Sequence, residues 1–255
     1  MNEITILAGT NKQNEKENFT SFTLRKGEIT TVIGNTGCGK SRFLQDIVQF
    51  VNKDSLTKRS ILIDGKPVPI DLRNKFSTNY VSHLSQNMRF VLDTNVLDFL
   101  NMHCLCRNKK VDLNQVLDCA NTITLEPITF EQNLTALSGG QTRALMIADL
   151  AYISNNPIIL IDEIENAGID YQAALKILLQ QDKFILIITH DPTTALIADH
   201  RILIENGGVV KIIHRNKQEE ALLQSLSSMT QYLNECQIRL KKGETLNENC
   251  PFILE

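Results

Sequence analysis

A chain of 255 residues, of which 42% are hydrophobic and 22% charged, has enough apolar residues for a buried core and the composition of an ordinary globular protein. Its formal net charge of -3 gives no electrostatic reason to expect a nucleic-acid or anionic-membrane surface, so no nucleic-acid partner is expected. Its apolar runs are far shorter than the roughly 20 residues that span a bilayer as a helix, and its first residues lack the pattern of a secretory signal, so a cytoplasmic location is expected.

The first third of the chain predicts short strands and one glycine-rich loop. Strands are predicted at residues 3–8, 19–24, 28–33, 60–65 and 80–84. The run at 28–33 is apolar and β-branched and ends at Gly34, which is typical of a buried strand that leads into a tight loop. A polar connection with Pro67 and Pro69 is expected before the last of these strands.

The middle of the chain changes pattern. From residue 87 to residue 135, apolar residues recur at steps of three and four, which predicts helices. Strand and helix patterns then alternate at residues 158–161, 173–179, 184–189, 193–198 and 201–205. That alternation is typical of a parallel sheet covered by helices, so the helical segment interrupts an α/β core.

The last forty residues predict an amphipathic helix. Its apolar face consists of residues at alternating steps of four and three: Leu222, Leu226, Met229, Leu233, Cys236 and Leu240. Two interpretations stay open, because the face would pack equally against its own domain or against a second subunit or partner.

The six cysteines show no paired C-x-x-C spacing of the kind that builds zinc or iron–sulfur sites, so reduced thiols are expected. Cys104 and Cys106 flank one residue beside His103, but further metal ligands are missing from that segment.

A glycine-rich octapeptide follows the strand predicted at 28–33 and precedes a predicted helix. Its residues have the spacing of a P-loop: Gly34, Asn35, Thr36, Gly37, Cys38, Gly39, Lys40 and Ser41. Glycines let backbone N–H groups turn toward phosphates, and the helix adds about half a positive charge at its N-terminus. We therefore expect ATP to bind here, with Lys40 on the β- and γ-phosphates and Ser41 on Mg²⁺, in a binding segment that extends to Arg42.

The apolar strand at 158–161 ends in two carboxylates, Asp162 and Glu163. Carboxylate oxygens suit Mg²⁺, so Asp162 is expected to hold the ion through its water shell. Glu163 is expected to orient or polarise the attacking water.

The segment 137–141 has the sequence LSGGQ and opens a predicted helix. A serine and two glycines at a helix N-terminus form an anion site, in which backbone amides and a hydroxyl face a phosphate. The nucleotide-binding residues expected in this signature segment are Ser138, Gly139, Gly140 and Gln141.

LSGGQ between a P-loop and an acidic strand end resembles the signature motif of ATP-binding-cassette proteins, and the resemblance covers roughly residues 20–210 in motif order. It implies an ATP hydrolase of α/β class: a P-loop NTPase core with a parallel sheet flanked by helices, an N-terminal antiparallel β lobe and an inserted helical lobe. It further implies that Gln86 is the Q-loop glutamine, near Mg²⁺ and the water. His190 resembles the switch histidine that contacts the γ-phosphate, and Asp170 falls in the D-loop, which touches the opposite subunit.

Two departures from the family pattern are visible. Residues 9–18 contain no aromatic side chain to stack on adenine, and Phe19 belongs to the next predicted strand, so weak discrimination between ATP and GTP is expected. The D-loop lacks the frequent proline, and Asp170 lies one residue farther along than is usual, so the contact between subunits is expected to differ.

The motifs divide the chain into four parts. These are the first part of the ATP-binding core at 1–86, the helical lobe ending in the signature segment at 87–141, the second part of the core at 142–215, and the C-terminal helix and tail at 216–255.

In the family, the P-loop and signature motif of one chain do not share an ATP, so two chains meet head to tail. One set of motifs therefore implies a homodimer or a pair with a related cassette subunit. A transporter with a separate membrane-spanning permease is one expected function, in which residues 87–100 receive the permease and the chain is peripheral to the membrane. The alternative is a soluble cassette ATPase acting in metallocentre assembly, enzyme activation or DNA maintenance. A P-loop kinase or GTPase would not need LSGGQ.

Overall fold

The computed structural model describes residues 1–85, 88–163 and 168–246. Within these ranges the strands are β1 (Ile4–Leu7), β2 (Ser21–Leu24), β3 (Ile29–Ile33), β4 (Ser60–Ile63), β5 (Lys66–Pro67), β6 (Val81–Leu84), β7 (Ile158–Asp162), β8 (Phe184–Ile188), β9 (His200–Glu205) and β10 (Gly208–His214). The helices are α1 (Lys40–Val48), α2 (Arg73–Tyr80), α3 (Val96–Cys106), α4 (Leu113–Ile123), α5 (Gly139–Tyr152), α6 (Tyr171–Leu179), α7 (Pro192–Ile197) and α8 (Lys217–Lys241).

The strands form two sheets. The larger has the order β10-β9-β3-β8-β7-β6, and its pairs are parallel except for the antiparallel hairpin of β9 and β10 at one edge. The smaller sheet, of order β2-β1-β4-β5, is antiparallel. Because β3, β7 and β8 are adjacent and parallel, the loops that follow them lie together at the carboxyl edge of the sheet, where ligands of open α/β sheets bind.

The larger sheet is buried on both faces, which explains its nearly continuous apolar strands. Successive side chains of a strand point to opposite faces. In β7, Ile159 and Ile161 join one hydrophobic cluster, and Ile158 and Leu160 join the other. The first cluster contains the apolar faces of α3, α4, α5 and α6, and the second contains α1 and the antiparallel sheet. The expected α/β class, with an antiparallel β lobe and an inserted helical lobe, is confirmed.

The helical lobe enters the chain between β6 and β7, which are neighbours in the sheet. Its helices begin with side-chain caps: Asn95 accepts a hydrogen bond from the N–H of Asp98, and Asp112 accepts one from the N–H of Asn114. The segment at 87–135 is thus two helices, α3 and α4, joined by loops. The boundary predicted between residues 141 and 142 falls inside one helix, α5. The division of the chain into four parts remains a prediction.

The structure corrects the reading of residues 66–80. The sequence predicts a polar connection that leads into a strand at residue 80, but the chain forms β5, a short 3₁₀ turn and then α2, which ends at Tyr80. No residue of α2 is fully buried, and only Phe76 and Tyr80, one turn apart, pack partly against the second cluster, which is too short an apolar pattern to predict a helix.

The C-terminal helix α8 packs against α7, and the Thr193 and Thr230 hydroxyl oxygens are 3.4 Å apart. Leu222, Leu233 and Leu240 on its predicted apolar face nevertheless remain exposed. In the part of the chain that the structure describes, no helix combines the length and apolarity needed to cross a membrane.

Candidate active site

The loop between β3 and α1 has, at two positions, a backbone conformation that favours glycine. Gly34 and Gly39 have φ angles of 149° and 112°. A Cβ atom at Gly34 would lie 2.3 Å from the Ile204 carbonyl oxygen, and one at Gly39 would lie 2.9 Å from Cα of Gly207. The P-loop therefore packs closely against the turn between β9 and β10.

The Lys40 side chain is buried at the start of α1, and its ammonium is held by the loop itself. Nζ donates to the Gly34 carbonyl at 2.8 Å and to the Asn35 carbonyl at 3.1 Å. Ser41, the next residue, is exposed on the first turn of the helix. The loop thus holds one positive charge inside its curve, next to a solvent-exposed serine.

Two further segments surround the P-loop, and we call residues 9–17 and 206–208 the P-loop collar. Lys12 joins all three segments: its N–H donates to the Asn206 carbonyl at 2.8 Å, and its Nζ donates to the Gly37 carbonyl at 3.2 Å. The N–H of Gly207 donates to the Cys38 carbonyl at 2.7 Å. A lysine therefore lies against the P-loop in the segment that lacks an aromatic residue.

A buried ion network supports the collar. The guanidinium of Arg59, which is fully buried, donates to the carboxylates of Glu17 and Asp46 and to the Gly207 carbonyl. Glu17 also accepts the N–H groups of Gly9 and Val209, at 2.7 and 2.6 Å. These contacts connect α1, the antiparallel sheet and the turn after β9.

Arg42 lies beside this network. Its Nε is 3.4 Å from Oδ1 of Asp46, one helical turn farther along α1. The structure therefore gives Arg42 a partner within the protein scaffold, and its contact with nucleotide remains a prediction.

The acidic end of β7 and the end of β8 bring three predicted residues together. Oε1 of Glu163 is 3.5 Å from Nε2 of His190, and the Glu163 N–H donates to the Ile188 carbonyl at 3.0 Å. Both side chains are accessible to solvent, and Asp162 lies directly before Glu163. A carboxylate and an imidazole thus face the same space at the carboxyl edge of the sheet.

Burial raises the pKa of Asp162, and the negative charge of Glu163 raises it further. The positive charges of His83, Lys40 and Arg143 act in the opposite direction. The two carboxylates therefore form a half-buried, like-charged pair within range of the P-loop lysine, an arrangement that a cation stabilises.

The signature segment forms the N-terminus of α5 through a capping box. Oγ of Ser138 accepts the N–H of Gln141 at 3.3 Å, and Oε1 of Gln141 accepts the N–H of Ser138 at 2.9 Å. The Gln141 amide also donates to the Pro127 carbonyl at 2.9 Å. Gln141 is therefore committed to shaping the helix end, whereas Ser138 and Gly139 are exposed. A cavity of about 230 Å³, lined in part by Arg89, adjoins them.

One functional candidate escaped the sequence prediction. Arg143 is buried on α5, and its guanidinium donates to the Ser85 carbonyl at 2.9 Å and to the Glu163 carbonyl at 3.2 Å. The signal in the sequence was a charged residue in a mostly apolar helix, two positions after LSGGQ.

Two predicted residues need separate comment. Gln86 lies outside the described residues, and so does most of the D-loop, at 164–167. Asp170 is exposed and caps α6, where its carboxylate accepts the N–H of Ala173 at 3.0 Å. Its contact with an opposite subunit remains a prediction.

Comparison with known proteins identifies the family. The model of the ABC transporter family matches residues 18–166. An uncharacterized ABC transporter ATP-binding protein of Methanocaldococcus jannaschii is 42% identical over 96% of this chain and 94% of its own length. A spermidine/putrescine import ATP-binding protein of Haemophilus ducreyi is 32% identical over 74% of this chain, although the match spans only 51% of that longer protein.

Solved structures agree with the fold. The cbiO1 protein of Clostridium perfringens, described as part of the ABC transporter complex cbiONQ, covers 94% of this chain with a TM-score of 0.61 and 18% identity. A putative ABC transporter ATP-binding protein of Pyrococcus furiosus covers 74% of the chain with a TM-score of 0.56 and 19% identity. With its P-loop, LSGGQ helix and acidic strand end arranged on this fold, the chain belongs to the ABC transporter family of ATP-binding proteins and is an ATPase.

Proposed function

We propose that the chain hydrolyses MgATP between its P-loop and the ends of β7 and β8, and that two cassettes close on two ATP molecules to do so. The proposal rests mainly on the 3.5 Å approach of Glu163 to His190, next to Asp162. A carboxylate for the water and an imidazole for the γ-phosphate are thereby close enough to act on one reacting centre.

The residues present fit Mg²⁺. The ion prefers oxygen ligands and is usually bound through one or two protein groups, waters and substrate phosphates. Ser41 offers an exposed hydroxyl, and Asp162 offers a carboxylate whose raised pKa reflects burial and the neighbouring charge of Glu163. Over the described residues, no cluster of three or more His, Cys, Asp or Glu side chains could hold a metal ion.

The protein groups then have distinct tasks. Ser41 and Asp162 would hold Mg²⁺, which would neutralise charge on the β- and γ-phosphates. Lys40 binds the same phosphates, Glu163 accepts the proton of the attacking water, and His190 holds the γ-phosphate in line with that water. Ser138 and the exposed amides after it bind the γ-phosphate of the ATP held by the second cassette.

The partner that we propose is a membrane-spanning permease. Immediately after the Q-loop position the chain exposes a group of large apolar side chains: Met88, Val91, Leu92 and Leu97. Val91 is 91% exposed, which is costly for an isolated soluble chain and favourable where a partner covers it. The transporter names of the relatives support the same assignment, and we propose a cytoplasmic location, peripheral to the membrane through this partner.

The test of the catalytic assignment is Glu163→Gln. The amide keeps the shape of the side chain but cannot accept the proton, so turnover should fall by about 100-fold or more while ATP binding persists. Size-exclusion chromatography with MgATP should then show a stable dimer that the wild-type protein forms only transiently. Wild-type turnover in this variant would exclude the role given to Glu163.

The partner is tested by affinity purification from detergent-solubilised cells. A co-purifying polytopic membrane protein, lost when Val91 and Leu92 are replaced by aspartate, supports the transporter assignment. A purely soluble partner that survives these substitutions instead supports the alternative function, an ATPase acting on a cytosolic complex.

A further inference from the structure

The guanidinium of Arg143 links the signature helix to the ends of two neighbouring strands, β6 and β7. Arg143 belongs to α5, whose N-terminus is the signature segment. One nitrogen donates to the carbonyl of Ser85, the last described residue before Gln86, and the other donates to the carbonyl of Glu163, the last described residue before the D-loop. A single side chain thus binds the carbonyl oxygens of both residues.

Glu163 requires this support because of its backbone conformation. Its φ is 51°, in the left-handed region that costs a non-glycine residue energy and persists only where surrounding contacts determine it. The N–H of Glu163 is bound to the end of β8, and its carbonyl is bound by Arg143. Removing the second contact takes away one restraint on this conformation, so we expect the carboxylate to shift relative to His190.

We propose that Arg143 is a positioning residue that couples the signature helix to the Glu163 carboxylate and to Ser85, the residue before Gln86. When the ATP of the second cassette binds at Ser138, any movement of α5 is transmitted through the guanidinium to both carbonyls. Chemistry is then completed only in the closed dimer. This inference rests on the proposed function, because it assigns Arg143 a task within the same site.

A planar guanidinium suits this task better than an ammonium does. Its fixed fork of N–H groups donates to two acceptors in different directions, and it keeps its charge when buried. A lysine at this position would reach one carbonyl at a time. Comparing Arg143→Lys with wild type therefore separates the effect of the two-way hydrogen bonding from the effect of the positive charge.

The experiment compares Arg143→Met and Arg143→Lys with wild type. A misplacement of about 1 Å at a reacting centre costs on the order of 100-fold in rate, so kcat of Arg143→Met should fall by about that factor. Its Kd for MgATP should stay within about threefold, and its MgATP-dependent dimer should accumulate as in Glu163→Gln, because the P-loop and Ser138 are intact. Arg143→Lys should restore part of kcat.

Arg201→Met is the matched control, because Arg201 is also 6% exposed but forms its ion pair with Glu219 on α8. Its melting temperature should fall while kcat stays within about threefold of wild type. A kcat of Arg143→Met within threefold of wild type overturns the inference, as does loss of ATP binding or of the dimer together with turnover. If Arg143→Met does not fold, full kcat in Arg143→Lys overturns it instead. Failure of the wild-type protein to bind or hydrolyse ATP would instead reject the proposed function.

Discussion

Replacement of Arg59 by methionine tests whether the buried ion network holds the P-loop in place. Arg59 is fully buried and forms ion pairs with the carboxylates of Glu17 and Asp46, which have no exposed side-chain surface. Removing one partner of a buried ion pair costs about 3–5 kcal/mol, because the remaining charge is left uncompensated. For a chain of this size each kcal/mol lowers the melting temperature by about 2–4 °C, so a decrease of about 6–20 °C is expected.

Differential scanning fluorimetry measures this decrease, and two variants make it interpretable. Arg25→Met removes a mostly exposed arginine whose nearest carboxylate, on Glu28, is 3.9 Å away, and it should lower stability by less than about 0.5 kcal/mol. Adding Glu17→Gln and Asp46→Asn to Arg59→Met removes the stranded charges and should recover part of the loss. A decrease of less than roughly 2 °C in Arg59→Met, or no recovery in the triple variant, would refute the reasoning.

Three further predictions concern nucleotide and pH. Lys40→Ala removes a charge-assisted contact worth about 1.5–3 kcal/mol, so calorimetry should show Kd for ATP raised by about 10- to 150-fold; an unaltered Kd would contradict the P-loop assignment. Lys12→Tyr supplies the missing surface for base stacking, which is worth about 1–3 kcal/mol, so it should lower the Kd for both ATP and GTP. It should leave the Kd for inorganic triphosphate, which has no base, unchanged. Lys12→Ala, the control, should not lower the Kd for either nucleotide. Burial lowers the pKa of Lys183 to about 8 from 10.5. Between pH 8 and 10.5 the unfolded chain therefore binds more protons than the folded one, and the free energy of unfolding rises with pH. Over this range wild type should gain up to about 3 kcal/mol of stability relative to Lys183→Met. Parallel curves of stability against pH for the two proteins would argue against this.

The fold was predictable where a strand is buried on both faces, because such a strand is a continuous run of apolar residues. The apolar runs at β7 and β8 predict buried parallel strands because both of their faces meet hydrophobic clusters. Helix α2 was not predictable in this way, because its partly buried apolar face is a single pair of residues one turn apart, Phe76 and Tyr80. The heptad-like spacing on α8 predicts a helix but cannot say which of its leucines α7 covers.

At the site, motif spacing predicts which side chains come together, but it does not predict their hydrogen bonds to backbone carbonyls. Glu163 and His190 come together because their strands are adjacent and parallel. The commitment of Gln141 to a capping box depends on a carbonyl at Pro127, and the contacts of Arg143 depend on two carbonyls 58 and 20 residues away in sequence. Backbone acceptors leave no mark in a sequence, so such roles become visible only in three dimensions.

The position of β3 in the larger sheet determines when the chain can first bind nucleotide during synthesis. Both neighbours of β3 come late: Ile29 pairs with Ile185 in β8, and Thr30 pairs with His200 in β9. Until the ribosome has released these strands, the P-loop follows a strand, β3, that has no partner in the sheet. By then α3, α4 and α5 can already form their contacts with one another. Pairings this distant in sequence form slowly because a long loop must close first. A nascent cassette is therefore expected to fold its helical lobe early and to acquire ATP affinity only after β8 and β9 have been synthesised.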